Sequence, residues 1–286
     1  MNYTDLFSSP ELLSFIDAAL REDIGSGDHS SLASIPAGTQ GKARMIVKDE
    51  GVLAGVELAK AVFQHADSNL KVEALLEDGA EVKHGDIALH VSGSVHSILK
   101  TERLVLNLAQ RLSGVATTTK QCVDLVKGTG CTILDTRKTT PGLRLLEKWA
   151  VTMGGGKNHR IGLFDMIMLK DNHVDYAGGI TAAVERTLAY LKQHNLNLKI
   201  EVETRNMAEV EEALNTGAVD RIMLDNFNPA LLSEAVRFID KRTETEASGG
   251  ITLKNLREYA ETGVQFISIG ALTHSVKSLD ISLKEF

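Results

Sequence analysis

The spacing of apolar residues in the N-terminal part of the chain predicts a leading helix, followed by a small layer of strands with one helix. In residues 10–22, apolar side chains recur every three or four positions, which is the period of an amphipathic helix. Residues 41–95 contain short apolar runs at 43–47 and 87–91, which indicate strands, around a helical pattern at 56–66. This part of the chain is therefore predicted to form a small α/β domain.

A long helical pattern over residues 101–127 separates this region from the rest of the sequence. Gly114 is expected to break that helix, because glycine is a poor helix former. We predict the domain boundary here, with an N-terminal domain of residues 1–112 and a second domain of residues 113–270.

The C-terminal half alternates short apolar strands with amphipathic helices, which is the pattern of successive βα units. Asn228 before Pro229 predicts a helix start, and Thr252 and Gly263 predict the limits of a helix at 253–262. Such units, placed side by side, predict a parallel barrel. Its strands are predicted at 132–135, 166–169, 199–202, 221–224, 243–247 and 266–269.

Length and composition indicate a globular protein of two domains. The chain has 286 residues, 43% of them hydrophobic and 24% charged, so it can bury a sizeable core. A formal net charge of −7 provides no basic surface for nucleic acid or an anionic membrane. Any anionic ligand must therefore contact cations that are placed locally.

Features that bear on the cellular compartment point to the cytoplasm. Cys122 and Cys131 are too few for a disulfide framework and fit a reducing compartment. Residues 1–10 lack the basic and apolar parts of a signal peptide, and no apolar run reaches the length of a membrane span. We therefore predict a cytoplasmic protein with neither a nucleic acid nor a membrane as partner.

Residues 78–86, with glycines at 79 and 85, resemble the turn-rich segment of lipoyl and biotinyl domains. A carrier module with a swinging arm is therefore one alternative to an enzyme. No Met-Lys-Met sequence or exposed lysine hairpin accompanies the segment, however. A pair of glycine turns that join strands is the preferred interpretation.

Polar residues follow nearly every predicted strand of the C-terminal half. In a βα barrel the active site lies where the strands end, so these residues are the first candidates for function. Each one alone is better explained as a surface charge or a turn, but their placement after successive strands favours one shared site. They are Asp135-Thr136-Arg137-Lys138-Thr139-Thr140-Pro141-Gly142, Lys170-Asp171-Asn172-His173, Glu203, Asp225-Asn226, Ser248-Gly249-Gly250 and Gly270-Ala271.

The residue types at this edge suit an anionic substrate that is handled with a divalent metal. Glu203 and Asp225 can hold Mg2+ on a pyrophosphate or face a developing cation. Glu201 shares a strand face with Glu203, so spacing alone does not decide which carboxylate is used. Cationic side chains can neutralise carboxylates and phosphates, and glycine-rich turns can cradle a phosphate through backbone N–H groups. The cations are Arg137, Lys138, His159, Arg160 and Lys170, and the turns are Ser248-Gly249-Gly250 and Gly270-Ala271.

Motifs over essentially the whole chain resemble those of the quinolinate phosphoribosyltransferase family, also called nicotinate-nucleotide pyrophosphorylase. The match includes the strand-end sequences given above and several further segments. These are Glu102-Arg103, Leu106-Asn107, Ser113-Gly114-Val115-Ala116-Thr117, Gly154-Gly155-Gly156-Lys157-Asn158-His159-Arg160, Glu201-Val202-Glu203 and Gly270-Ala271-Leu272-Thr273-His274-Ser275.

The resemblance implies a mixed α/β fold, in which an N-terminal α/β sandwich domain precedes an incomplete parallel α/β barrel of the TIM type. Residues 271–286 are expected to return from the barrel to the first domain. The resemblance also implies an obligate homodimer with shared active sites. Assembly beyond the dimer, for example to a hexamer, is left open.

Roles for individual residues also follow from the resemblance. Arg103 is expected to reach the site of the neighbouring subunit, and Lys138 is expected to contact both substrates. Glu203 and Asp225 are expected to hold Mg2+ either directly or through pyrophosphate and water. The expected catalytic residues are Lys138, Lys170, Glu203 and Asp225. The expected substrate-binding residues are Arg103, Arg137, Lys138, His159, Arg160 and Lys170 around quinolinate, and Lys138, Lys170, Glu203, Asp225, Ser248, Gly249, Gly250, Gly270 and Ala271 around ribose and phosphate. Thr136 is also expected to bind substrate.

The implied reaction transfers phosphoribosyl from phosphoribosyl pyrophosphate to quinolinate, with loss of CO2 and pyrophosphate, and gives nicotinate mononucleotide for NAD biosynthesis. Placed charges are expected to stabilise its oxocarbenium-like transition state. One alternative is a relative of the same fold from the molybdenum locus, against which the full arginine and histidine set argues. Another is a Schiff-base barrel aldolase that uses Lys170, which borohydride trapping would detect.

Overall fold

The computed structural model describes Tyr3 and residues 5–286, which fold into two compact units. Three residues of the segment 1–10, in which no signal peptide was predicted, lie outside the described residues: Met1, Asn2 and Thr4. The domain limits predicted at residues 112 and 270 stay predictions. The first unit contains the described residues up to Lys120, with Thr140–Gly155 and Ser275–Phe286, and the second contains Gln121–Thr139 and Gly156–His274.

Strands and helices alternate along most of the described residues, after a short 3-10 helix at Leu6–Ser8. The strands are β1 (Gln40–Val47), β2 (Gly51–Val52), β3 (Lys71–Ala74), β4 (Glu81–Val82), β5 (Ile87–Ser94), β6 (Thr132–Leu134), β7 (Ile167–Leu169), β8 (Ile200–Thr204), β9 (Arg221–Asp225), β10 (Glu244–Ser248), β11 (Phe266–Ser268) and β12 (Ile281–Glu285). The helices are α1 (Pro10–Ile24), α2 (His29–Ser34), α3 (Val56–Ala66), α4 (Val95–Leu125), α5 (Arg144–Met153), α6 (Asp171–Ala177), α7 (Ile180–His194), α8 (Met207–Asn215), α9 (Pro229–Ile239), α10 (Leu256–Ala260) and α11 (Ala271–His274).

A four-stranded antiparallel sheet in the order β12, β1, β5, β3 forms the centre of the first unit. Alternate residues of β1 point to one face of the sheet, and Ala43, Met45 and Val47 on that face are buried. Met45 pairs with Leu89 of β5 on one side and with Leu283 of β12 on the other. This buried face fixes the register of the three strands, because a slip of one residue would expose it.

Helix α4 runs without a break from Val95 to Leu125, so the break expected at Gly114 is wrong. The glycine is explained by a neighbouring backbone, because a Cβ at Gly114 would overlap the carbonyl oxygen of Lys277. Two residues further along, the backbone N–H of Leu279 donates to the carbonyl oxygen of Gln110 at 3.0 Å. The segment before β12 therefore packs directly against the backbone of α4.

Residues 78–86 form two glycine turns around β4, which confirms the preferred interpretation of this segment. Gly79 has a φ of +91° and Gly85 a φ of +95°. Asp78 Oδ1 accepts the backbone N–H groups of Gly55 at 2.6 Å and Val56 at 2.8 Å, and so caps the start of α3. The segment therefore has a structural role within the first unit.

Six parallel strands form the sheet of the second unit, in the order β6, β11, β10, β9, β8, β7. Each strand predicted for the barrel is present, and no end differs from its prediction by more than two residues. β6 and β7 lie at opposite ends of this order, so the barrel is incomplete, as predicted. Lys157 makes a parallel bridge with Leu134, so the segment before His159 runs along the free edge of β6.

Two helix starts in the second unit show how the local sequence sets the helix limits. Asn228 Oδ1 accepts the N–H of Leu231 at 3.0 Å, which confirms the predicted cap of α9. The helix predicted at 253–262 is shorter, because Asn255 Oδ1 accepts the N–H of Thr252 at 2.7 Å and forms a turn there. Helix α10 therefore begins only after this turn.

Among the described residues, no helix combines the length and the apolar character needed to cross a bilayer. The thiols of Cys122 and Cys131 are free. Burial raises the pKa of Cys122 to about 11 and that of Cys131 to about 12, so both are neutral thiols near pH 7.

Candidate active site

Seven of the predicted site residues line one pocket of the second unit, where the barrel strands run into their loops. The pocket has a volume of about 310 Å3. Three residues that the sequence did not single out complete its walls. The predicted residues are Thr136, Arg137, Lys138, His159, Arg160, Lys170 and Ser248, and the others are Met168, Met223 and Ser268.

Asp135, the first residue after β6, holds the segment that carries His159 and Arg160. Its Oδ1 accepts the N–H of His159 at 2.9 Å, and its Oδ2 accepts from Asn158 Nδ2 at 2.6 Å. The backbone N–H of Asp135 donates to the carbonyl oxygen of Lys157 at 3.2 Å. The carboxylate is fully buried, so these charge-assisted hydrogen bonds fix the segment beside β6.

The imidazole of His159 lines the pocket while both of its nitrogens contact protein groups. Nε2 lies 3.0 Å from Glu201 Oε2 and 3.5 Å from Glu246 Oε2, and Nδ1 accepts the N–H of Arg160 at 2.7 Å. Burial alone would lower the pKa of His159, but the hydrogen bond to Glu201 and the charges of Glu246 and Glu201 raise it above its ordinary value. The protein therefore orients this ring by itself, and contact with a substrate carboxylate stays a prediction.

The guanidinium of Arg160 is buried close to a second cation. Burial and the positive charge of Arg137 lower the pKa of Arg160, whereas Glu201 and Asp165 act in the opposite direction. Arg160 Nη1 donates to the carbonyl oxygen of Met166 at 3.2 Å, which orients the side chain. Arginine remains charged in proteins, so Arg137 and Arg160 present two adjacent positive charges to the pocket.

Lys170 and Glu203 form an ion pair between the ends of β7 and β8. Lys170 Nζ donates to Glu203 Oε2 at 2.9 Å, with 45% of the lysine side chain and 11% of the glutamate side chain exposed. The backbone N–H of Lys170 donates to His173 Nδ1 at 2.9 Å, which holds the backbone at the strand end. The half-exposed ammonium is therefore positioned to move from Glu203 to an anionic ligand.

Asp225 ends β9 and lies in register with Ser248 of β10. Asn226 has a φ of +58° and donates from Nδ2 to Asp225 Oδ2 at 2.6 Å and from its N–H to the carbonyl oxygen of Ser248 at 2.8 Å. A Cβ on Gly249, whose φ is +93°, would overlap the Asn226 side chain. The turn from Ser248 to Gly250 therefore packs directly on the loop that carries Asp225.

Gly270 and Ala271 lie beside the exposed side chain of Lys138. A Cβ on Gly270 would lie 2.9 Å from Lys138 Cδ, so the glycine leaves room for the lysine stem. Thr273 Oγ1 donates to the carbonyl oxygen of Lys138 at 2.8 Å and ties the β6 loop to α11. These contacts bring the last predicted phosphate turn next to a predicted catalytic lysine.

Glu203 and Asp225 come from neighbouring strands at the same edge of the sheet, and their carboxylate oxygens suit Mg2+. Lys170 and Asn226 already donate to these two carboxylates. A metal ion that binds through phosphate and water leaves both contacts in place, whereas direct coordination displaces at least one of them. The residues present therefore fit Mg2+ best as an ion bound mainly by a phosphate-bearing substrate.

A second group of ionisable residues lies in the buried interior of the barrel. His159, Glu201 and Glu246 offer ligand atoms within 4.8 Å of one another, and each of these residues is buried. The sequence did not decide whether Glu201 or Glu203 acts at the site. In the structure they have different partners, since Glu201 faces His159 and Glu203 faces Lys170. The sequence analysis did not single out Glu246. Its position two residues before Ser248 could have indicated it, because residues two apart on a strand point to the same face and Ser248 was already a candidate.

Arg103 does not line this pocket. It lies exposed on α4, in the first unit of the chain, and makes no ion pair with the described residues. The predicted contact between Arg103 and a neighbouring subunit stays a prediction.

The pocket combines positive charge with apolar surface. Four cationic side chains can neutralise a ligand that carries two carboxylates and can also contact phosphate. Met168 and Met223 provide apolar surface that suits a flat ring. The arrangement can therefore bind a planar dicarboxylic acid next to a phosphorylated second substrate. The four cations are Arg137, Lys138, Arg160 and Lys170.

Comparison with known protein families matches almost the whole chain to one family in two parts. Residues 28–113 match the model of the quinolinate phosphoribosyl transferase N-terminal domain. Residues 115–284 match the model of the C-terminal domain of the same family.

Individual relatives agree with this match. The chain is 48% identical over 289 residues to the chloroplastic nicotinate-nucleotide pyrophosphorylase [carboxylating] of Arabidopsis thaliana, covering 96% of this chain and 82% of that protein. It is 44% identical over 262 residues to the probable nicotinate-nucleotide pyrophosphorylase [carboxylating] of Bacillus subtilis, covering 92% of this chain and 89% of the relative. The crystal structure of NadC from Streptococcus pyogenes matches with a TM-score of 0.92 and 38% identity, over 100% of this chain and 99% of the other.

Proposed function

This chain belongs to the quinolinate phosphoribosyltransferase family, and we propose that its cationic pocket is the site of the reaction of that family. The enzyme is a pentosyltransferase that converts quinolinate and phosphoribosyl pyrophosphate to nicotinate mononucleotide, CO2 and pyrophosphate in NAD biosynthesis. The observation that carries the proposal is the grouping of Arg137, Lys138, Arg160 and Lys170 around one pocket of about 310 Å3.

The two carboxylates of quinolinate are assigned to the arginine side of the pocket. Arg137 and Arg160 are adjacent, and a guanidinium matches a planar carboxylate through two parallel hydrogen bonds. Two carboxylates also offset the mutual repulsion of these cations, which a ligand with one carboxylate does only in part. Met168 and Met223 contact the pyridine ring and keep water from its faces.

The ribose and phosphate side is assigned to the outer rim of the barrel. Lys138 and Lys170 stabilise the departing pyrophosphate, and Glu203 and Asp225 face the positive charge that develops on the ribose. Bound with the pyrophosphate, Mg2+ supplies further positive charge for the leaving group. The turns of Ser248, Gly249, Gly250, Gly270 and Ala271 contribute backbone N–H groups to phosphate.

Phosphoribosyl transfer in this pocket depends mainly on the placement of charge. The pyridine nitrogen attacks the anomeric carbon as the bond to pyrophosphate breaks, and the protein lowers the barrier by holding both partners in line. When Lys170 moves from Glu203 to a phosphate, the Glu203 carboxylate becomes available to the ribose cation. The substrate thus replaces the ion pair of 2.9 Å between these two catalytic residues with contacts of its own.

We also propose a homodimer in which Arg103 completes the site of the other subunit. Arg103 is exposed on α4, and the loop that follows Arg160 exposes 72% of both Leu163 and Phe164. Large apolar side chains at such exposure suit a surface that another subunit covers. Assembly beyond the dimer stays open, and the cytoplasmic location stays a prediction.

The direct test is to incubate the protein with quinolinate, phosphoribosyl pyrophosphate and Mg2+ and to measure nicotinate mononucleotide and released CO2. Nicotinic acid, which lacks the second carboxylate, should react at least about tenfold less efficiently, because an unpaired buried charge costs on the order of 1–3 kcal/mol. Equal turnover of the two acids would contradict the assignment of the pocket to a dicarboxylate. Trapping of a carbonyl substrate on Lys170 by borohydride would favour an aldolase instead.

A further inference from the structure

Two glutamates with fully buried side chains lie beneath the pocket, next to the imidazole that lines it. Glu201 comes from β8 and Glu246 from β10, and each has a carboxylate oxygen within 3.5 Å of His159 Nε2. Arg221, on the strand between them, donates from Nη1 to Glu246 Oε2 at 2.9 Å. Glu201, Glu246 and Arg221 are not among the residues that line the pocket.

The hydrogen bonding of His159 indicates that this cluster holds a proton rather than a metal ion. Nδ1 accepts the backbone N–H of Arg160 at 2.7 Å, so its lone pair is already used. The proton of the neutral ring therefore lies on Nε2, which faces the two carboxylates. A metal ion on Nε2 would require the ring to lose that proton as well.

The two carboxylates have more acceptor sites than their surroundings have donors. Among the described residues, Glu201 Oε1 and Glu246 Oε1 are buried without a hydrogen-bond partner. A buried acceptor without a donor is costly, and a proton on one carboxyl group supplies the missing donor. Arg160 acts on Glu201. Arg221, which donates to Glu246, is shared with Glu244, so it offsets the charge of Glu246 only in part, and an added proton removes the remainder.

The expected titration agrees with this geometry. Burial, followed by the negative charge of Glu201, raises the pKa of Glu246 to about 7. The pKa of His159 is raised by the same two carboxylates against the effect of burial. Because His159 Nδ1 already accepts the N–H of Arg160, the geometry assigns the added proton of this coupled group to the carboxyl group of Glu246.

We propose that Glu246, paired with Glu201, is a positioning residue that keeps one proton beneath the pocket and thereby strengthens the binding of the quinolinate dianion. The inference rests on the proposed function. Loss of the proton places a further negative charge beneath the cations that hold the substrate. This charge weakens the binding of a dicarboxylate.

The charged groups that face Glu246 come from each neighbouring element. Arg221 lies on β9, Glu201 on β8, and His159 on the segment along β6. Ser268 of β11 donates a hydrogen bond that favours the ionised carboxylate, and Glu244 lies two residues earlier on the same strand. Of these groups, His159, Ser268 and Arg221 favour loss of the proton, and burial together with Glu201 favours its retention.

The direction of the pH dependence follows from the raised pKa of Glu246. The carboxyl group is protonated below about pH 7 and ionises as the pH rises through that value. Quinolinate binding should therefore weaken above about pH 7. Because the bound dianion favours the protonated cluster, binding just above that pH should also take up a fraction of a proton.

Isothermal titration calorimetry of the intact protein with quinolinate, from about pH 6 to about pH 9, tests this inference. We expect the dissociation constant of the wild type to rise roughly fivefold or more over this range, the effect of one unit charge several ångströms from the ligand. Glu246→Gln mimics the protonated acid and should bind quinolinate with little pH dependence. Glu244→Gln removes the same charge from the same strand and the same partner, Arg221, and should behave like the wild type.

The heat of binding in buffers of different ionisation enthalpy provides a second measurement that needs no variant. Proton uptake by the wild type near pH 7.5 that disappears in Glu246→Gln supports the inference. No uptake by the wild type, or the same pH dependence in Glu246→Gln, overturns it. Stoichiometric zinc in the purified wild type that is lost in Glu246→Gln also overturns it, in favour of a metal site. Failure of quinolinate to bind at any pH contradicts the proposed function instead.

Discussion

Gly249 combines two constraints that only glycine satisfies. Its φ of +93° is unfavourable for other residues, and a Cβ would overlap the side chain of Asn226. Gly250 has a φ of +64° but no atom within 4 Å of a hypothetical Cβ. Comparison of Gly249 with Gly250 therefore separates two destabilising effects of an added Cβ, the unfavourable backbone conformation and the overlap with a neighbouring side chain.

We expect Gly249→Ala to lower the free energy of unfolding by at least about 1 kcal/mol more than Gly250→Ala, because overpacking adds to the left-handed conformation. Gly250→Ala alone should cost about 1–2 kcal/mol. Urea unfolding monitored by circular dichroism measures both variants. Equal costs for the two variants would mean that Asn226 moves aside freely.

Glu203 and Asp225 provide a prediction about catalysis. Glu203→Ala and Asp225→Ala should each lower kcat by roughly a hundredfold, because their charge acts on the ribose cation in the transition state. The dissociation constant for quinolinate should change far less. Steady-state kinetics and calorimetric titration with quinolinate separate the two effects.

A matched control for these variants is Glu234→Ala, which removes one negative charge from an exposed position on α9. Its kcat should remain close to that of the wild type. An unchanged kcat in Glu203→Ala, together with a large loss of quinolinate affinity, would move Glu203 to the dicarboxylate side of the site.

At the scale of residues, the sequence predicted that charged and glycine-rich positions would meet, because strand ends meet at one edge of a parallel barrel, and seven of these residues line one pocket. It did not identify Met168, Met223 or Ser268, since apolar and small residues before a strand end look like ordinary core. It also left Glu201 undecided and missed Glu246. Their roles depend on which side chains meet across strands that are distant in the sequence, and no local pattern encodes that.

At the scale of elements, replacing Gly114 in α4 tests whether the helix packs closely against a neighbouring segment. The answer lies in whether the variant is more or less stable than the wild type. In a solvated helix, Gly→Ala is stabilising by about 1 kcal/mol. We expect Gly114→Ala to be destabilising instead, by roughly 1–3 kcal/mol, because the new Cβ meets the carbonyl oxygen of Lys277. Thermal unfolding of the variant measures the sign, and a stabilised protein would show that the segment before β12 yields easily.

The elements predicted most accurately were those whose pattern is local. The strands of the barrel and the cap at Asn228 follow from short apolar runs and single side chains, and both are present. The expected break at Gly114 failed because the reason for the glycine lies in a backbone more than a hundred residues later. The segment from Asn158 to Arg160 has no repeating pattern, since buried Asp135 rather than a strand ladder holds Asn158 and His159.

At the scale of the whole molecule, the proposed shared site predicts complementation between two inactive variants. Arg103→Ala removes a contact supplied to the other subunit, and Lys138→Ala removes a contact within the same subunit. In a heterodimer of the two, one site carries both changes and the other carries neither, because a two-fold interface exchanges residues reciprocally. Co-expression with different tags, purification of the doubly tagged dimer and an activity assay should therefore recover activity.

Two outcomes would contradict the shared site. An inactive heterodimer, with all three dimers folded, would place Arg103 and Lys138 in the same subunit's site. Near-normal activity of the Arg103→Ala homodimer would mean that Arg103 is an ordinary surface charge, for which an exposed ion pair contributes under about 1 kcal/mol.

The pairing of β12 with β1 has a consequence for the order of events during synthesis. In the ribosome-bound chain, one edge of β1 stays unpaired until β12 has been made. The whole second unit is translated between these two strands. At about 5–20 residues per second, this interval lasts roughly 10–50 s. During that time the nascent sheet therefore has an edge at which a neighbouring polypeptide can pair.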